Sequence, residues 1–145
     1  GDHRDLHSFP YTTLFRSGGP IKPENPNYGG WRYLPDSTDS DLSVSGWQVL
    51  TLKAAVNAGF SVPDDALKAA ARYVRTLQGK LDGSFLYQGQ GDRGSSCGRA
   101  GMGALSLQLC GFPQDPAIPP AIRFMQDRAP RWNEEDPGDG HPFYY

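Results

Sequence analysis

Apolar residues fall into two different patterns along this chain. Between about Ser43 and Ala58, Val44, Trp47, Leu50, Leu52, Ala54, Ala55 and Ala58 spread over more than half of a helical circumference. Such a wide apolar surface predicts a helix enclosed on several sides. Gly59 supplies its C-terminal stop. From Pro63 to about Gln78, Ala66, Leu67, Ala70, Tyr73, Val74 and Leu77 keep to a narrower stripe, and Lys68, Arg72 and Arg75 occupy the rest. That is the pattern of an outer helix with one wet face. Pro63 is preset for the first helical position, and Asp64 and Asp65 complement the positive end of the helix dipole. The two segments read as the inner and outer helices of one hairpin.

The hairpin is stated twice. Gly29-Gly30-Trp31-Arg32-Tyr33, a Ser/Asp-rich loop, a small-residue helix and Gly59-Phe60 return as Gly83-Ser84-Phe85-Leu86-Tyr87, another loop, another helix and Gly111-Phe112. The leading glycines are 54 residues apart and the closing ones 52, a period that marks stacked supersecondary units. The second inner helix is predicted over about Ser96 to Cys110. Its Gly98, Gly101 and Gly103 each cost roughly 1 kcal/mol relative to alanine, so it needs close neighbours to form. The second outer helix echoes Ala66-Leu67 with Ala117-Ile118 and Arg72-Tyr73-Val74 with Arg123-Phe124-Met125, and Pro119-Pro120 set its start at about Pro119. Asp136 to Tyr145 reads as the glycine-aromatic opening of a third unit. Two units and a fraction fall short of the roughly three that stacking requires. The expectation is a piece of a larger protein that exposes apolar faces.

Residues 1–17 are set apart from this argument. Gly1-Asp2-His3-Arg4-Asp5-Leu6-His7-Ser8-Phe9 and, beyond one inserted base at Pro10, Tyr11-Thr12-Thr13-Leu14-Phe15-Arg16-Ser17 resemble a translated sequencing adaptor. The fold domain is therefore expected over 18–145. Removing the tail leaves the formal net charge at -2, since Asp2 and Asp5 cancel Arg4 and Arg16. A slightly acidic chain lacks the basic stripe that phosphate backbones require, which disfavours nucleic acid as a partner. No apolar run approaches the roughly 20 residues of a membrane span, so no transmembrane segment is expected. Cys97 and Cys110 stand about 20 Å apart along an intact helix, too far for a disulfide, and read as small reduced side chains.

On Gly30-Trp31-Arg32-Tyr33, Ser45-Gly46-Trp47-Gln48, Asp82-Gly83-Ser84-Phe85 and the order of the repeats, the chain resembles the prenyltransferase and squalene-cyclase (terpenoid cyclase) repeat family. The resemblance covers Gly29 to Met125. It implies an all-α fold: a fragment of an α/α toroid with alternating inner and outer helices joined by Gly-aromatic loops. In cyclases of this kind, clustered carboxylates keep one acid protonated for attack on an alkene or epoxide. Asp39-Ser40-Asp41-Leu42 is the nearest match, which makes Asp41 the candidate proton donor and Asp39 its supporting acid, with the last carboxylate of the pattern missing. The alternative is a capping loop before the inner helix, with Ser43 as N-cap and Asp41 near the dipole.

Trp47, on the inner helix, is the candidate for lining an isoprenoid cavity, where ring faces stabilise developing cations. The loop aromatics Trp31, Tyr33, Phe85 and Tyr87 read instead as fasteners between loop and helix. The zinc pattern of protein prenyltransferases is not matched, because Asp41-Leu42-Ser43 and Asp92-Arg93-Gly94 lack the sulfur ligand, and no metal or cofactor is assigned. Two functions follow: part of an enzyme enclosing an apolar isoprenoid substrate, or a catalytically silent toroid binding a protein or peptide.

Overall fold

Asp41 starts the first helix by folding its side chain back onto the first turn. In this computed structural model, which describes residues 23–34, 36–80, 82–89 and 96–128, helix α1 spans Leu42–Asn57. Its N-cap Asp41 has an extended backbone and accepts the Val44 N–H. The cap is thus Asp41 rather than Ser43, whose hydroxyl donates to the same carboxylate at 2.7 Å. Helix α1 closes with Gly59 at φ +86. There the Gly59 N–H reaches the Val56 carbonyl and the Phe60 N–H the Ala55 carbonyl, the paired bonds of a Schellman stop.

Helix α2, Asp64–Thr76, follows Pro63, which occupies the cap position just outside the first turn. Helix α3, Cys97–Leu109, repeats the logic of α1. Ser96 caps it by accepting the Arg99 N–H, and Gly111 at φ +93 with Phe112 forms the same stop on Gln108 and Leu107. Helix α4, Ile118–Arg128, begins one residue before the expected Pro119. Pro119 and Pro120 fit in the first turn because its N–H groups lack helical partners anyway. Among the described residues the protein is all-helical, with four helices and two isolated antiparallel bridges, Trp31 to Asp41 and Gln78 to Phe85. No helix among them is long and apolar enough to cross a membrane. The adaptor-like segment 1–17 and the third opening at 136–145 lie outside the described residues.

The two hairpins are built on one register. Counted from the caps Asp41 and Ser96, the inward positions coincide: Ser45 with Ala100, Val49 with Ala104, Leu52 with Leu107, and Ala55 with Cys110, all buried. Helix α1 has 16 residues and α3 has 13. The difference is close to one turn, so the same face stays inward although the spacing shrinks towards the C-terminal glycines. Each unit's leading glycine also lies against the second helix of its own hairpin. Gly29 abuts Ala69, and Gly83, at φ +79, sits where a Cβ would come within 2.7 Å of the Pro120 backbone. Two residues on, Trp31 and Phe85 are buried. The Phe85 ring covers Gly103, where a Cβ would be 2.5 Å from it. That contact explains a glycine in the middle of α3.

Between the units, the Met102 side chain packs on Gly46, bringing α3 against α1. The Leu42 N–H donates to the Tyr87 carbonyl at 2.9 Å. Between the end of α2 and the segment preceding α4, Arg75 pairs with Asp115 at 2.6 Å and stacks 4.4 Å from the Phe112 ring, while Gln78 donates to the Ala117 carbonyl at 2.9 Å. These contacts cover only one face of α1, made of Leu42, Ser45, Gly46, Val49, Leu52 and Ala55. Trp47 is 61% exposed, so enclosure of this helix on several sides is not seen among the described residues. Tyr33, expected to fasten a loop, is likewise exposed.

Candidate functional site

The two carboxylates singled out in the sequence do meet, on a guanidinium. The Trp31 N–H donates to Ser45 Oγ at 2.8 Å, and the Asp41 N–H to the Trp31 carbonyl at 3.0 Å. This short bridge lays residues 31–32 beside 39–41. Arg32 Nη1 then lies 2.6 Å from Asp41 Oδ2, and Nε lies 3.3 Å from Asp39 Oδ2. The guanidinium stacks 5.4 Å from the Tyr33 ring centroid and 6.0 Å from that of Tyr87. Its Nη1 also donates to the Tyr87 hydroxyl at 3.4 Å. The hydrogen bond to Asp41 holds the Arg32 pKa above its ordinary value, against the effect of burial.

Asp41 is fully buried and both of its oxygens are engaged. Oδ1 accepts the Val44 N–H at 2.8 Å and the Ser43 hydroxyl at 2.7 Å. Oδ2 accepts Arg32. Asp39 keeps half of its side chain in solvent and accepts Gln88 Nε2 at 3.1 Å. Trp47 is exposed among the described residues and is not part of this group. Arg32 was the residue missed by sequence reasoning, although it lies inside the glycine-aromatic motif itself. Its signal was a basic side chain between two aromatics, upstream of an acidic loop.

Behind the pair, Tyr73 is buried with no hydrogen-bond partner for its hydroxyl among the described residues. Burial, reinforced by the negative charge of Asp41, raises its pKa. Burial is also the main reason the Tyr87 phenol rises to about 12. Tyr73 forms one wall of an open cleft of about 500 Å³, whose other walls include Asn27, Asp39, Ser40, Thr76 and Gln88. Polar residues thus line the cleft beside Pro26 and Tyr73, and two of them, Gln88 and Asp39, are hydrogen-bonded to each other. Among the described residues no group of three or more His, Cys, Asp or Glu side chains is placed to hold a metal ion.

No family model matches the chain, and no curated protein or solved structure shows significant similarity to it.

Proposed function

We propose that this chain is a stretch of an α/α repeat scaffold, stacked as in the toroids its sequence resembles, that presents its surface to a protein partner and does not act as an acid catalyst. The fate of Asp41 carries this reading. A carboxyl that protonates an alkene must hold a proton on an oxygen aimed at substrate, whereas both oxygens of Asp41 accept protein donors inside a helix cap and an ion pair. Asp41 is wholly buried, so neither oxygen is open to a substrate. The nearby cleft supports the same reading, because its mixed lining, polar residues beside Pro26 and Tyr73, suits a peptide better than a wholly hydrocarbon chain.

The test is to incubate the purified chain with squalene, and separately with farnesyl diphosphate, and to analyse the extracts by gas chromatography and mass spectrometry beside the Asp41→Asn variant. No new product is expected from either protein, and the variant should melt at a lower temperature. A cyclised product made by the wild type and lost in Asp41→Asn, with the melting temperature unchanged, would overturn the proposal.

A further inference from the structure

The joint between the two hairpins also describes two surfaces that are open among the described residues. In the register set by the caps Asp41 and Ser96, Trp47 of α1 occupies the position of Met102 in α3, and Gly101 of α3 that of Gly46 in α1. Met102 and Gly46 meet: the three nearest atoms to a Cβ built on Gly46 all belong to Met102. The same pair is therefore present a second time, and is unmated among the described residues. Trp47 is 61% exposed on one side. On the other, Gly101 is only partly covered, with the Met125 sulfur 3.4 Å from where its Cβ would be.

The neighbouring positions agree. Thr51, one turn beyond Trp47, is exposed, while its register partner Ser106 is buried beside Met102. Ala54 and Ala58 extend the exposed stripe of small side chains along α1, which lets a second helix approach closely. Helix α1 thus displays the projecting half of the joint and α3 the recessed half.

We propose that these two faces mate between molecules, so that Trp47 of one copy seats over Gly101 of a second copy in a head-to-tail association that repeats the internal α1–α3 packing. The contact is heterologous, with different surfaces on the two partners, and it extends head to tail until the rotation closes a ring or an end is blocked. Met125, unbranched and flexible, yields to admit the larger indole. The inference rests on the shared register of the two hairpins and stands whether or not the chain is catalytic.

Sedimentation velocity across a concentration series, on wild type, Trp47→Ala, Gly101→Leu and an equimolar mixture of the two variants, tests it. The wild type should form concentration-dependent oligomers. Each variant lacks one half of the joint and should associate at least about tenfold more weakly, as expected when an interface tryptophan or its pocket is lost. The mixture retains one intact joint and should give 1:1 dimers and nothing larger. Circular dichroism of each variant checks folding, and Thr51→Arg, on the same exposed face, provides a second block that leaves Trp47 in place.

Three outcomes would overturn the proposal. A wild type that stays monomeric throughout is one. Another is a Gly101→Leu protein that associates like wild type while Trp47→Ala does not, which would mean a face-to-face dimer. The third is a mixture without dimers, which would mean that the Trp47 and Gly101 faces do not mate with each other.

Discussion

Replacing Arg32 with methionine removes a charge and keeps most of the side-chain volume, so it isolates what the guanidinium does for the loop preceding α1. In the native protein its partner Asp41 is wholly buried while the Arg32 side chain remains 25% exposed. Removing one member of a fully buried pair costs about 3–5 kcal/mol, because the other charge is stranded. Solvent reaches the Arg32 side of this pair, and the cap donors on Oδ1 survive. A loss of about 2–3 kcal/mol is therefore expected for Arg32→Met.

Asp41→Ala removes the cap as well, worth about 1 kcal/mol, but leaves Arg32 with Asp39 and water. Its expected loss is also about 2–3 kcal/mol. The double variant should be less destabilised than the sum of the two, with a coupling of about 1–2 kcal/mol. Urea unfolding followed by far-UV circular dichroism on the four proteins gives all three differences. If the single losses add within about 0.3 kcal/mol, the sites are independent. The ion pair would then not anchor the loop, and the argument that Asp41 is engaged structurally would fail.

Two further outcomes follow from the same geometry. Gly83→Ala and Gly111→Ala both place a side chain at positive φ, at a cost of about 1–2 kcal/mol. Only Gly83 faces backbone, that of Pro120, whereas nothing lies within 4 Å of a Cβ at Gly111. Gly83→Ala should be clearly the more destabilising in the same urea assay, and equal losses would mean that the loop does not rest on α4. Burial lifts the Cys110 thiol from 9.0 to about 11, with Arg75 opposing the shift. The unfolded chain thus releases this proton first as pH rises. The stability that the protonated thiol contributes is fully present below about pH 9 and is lost as pH climbs to about 11. Denaturation midpoints measured across that window should fall, and less steeply in Cys110→Ala. An identical slope in the variant would remove the thiol from the explanation.

The local grammar of the fold was legible in the residues. Four helices, their order and their approximate ends followed from Gly59 and Gly111, from Pro63 and Pro119, and from apolar spacing, because these features act within a turn or two of chain. The repeat was legible for the same reason. What the residues could not state was how the chain divides its apolar surface between neighbours. The breadth of the α1 pattern implied burial on several sides, yet Trp47 stands exposed, since helical spacing records which positions suit contact and not whether a partner is present.

Asp39 and Asp41 show the same division. Their spacing marked an acidic cluster, with either catalysis or capping open to it. Arg32, nine residues before Asp41, decided between environments only once the short bridge from Trp31 to Asp41 brought them within 2.6 Å. The glycines divide likewise. Gly59 and Gly111 serve local turns and could be assigned from sequence, whereas Gly46, Gly83 and Gly103 exist for Met102, Pro120 and Phe85, partners from distant parts of the chain. Backbone preference and periodicity are properties of neighbours in sequence, so the sequence by itself determined the helices and their repetition. Charge pairing, close approach and the face each helix leaves open depend on distances between segments, and only the tertiary structure decided those.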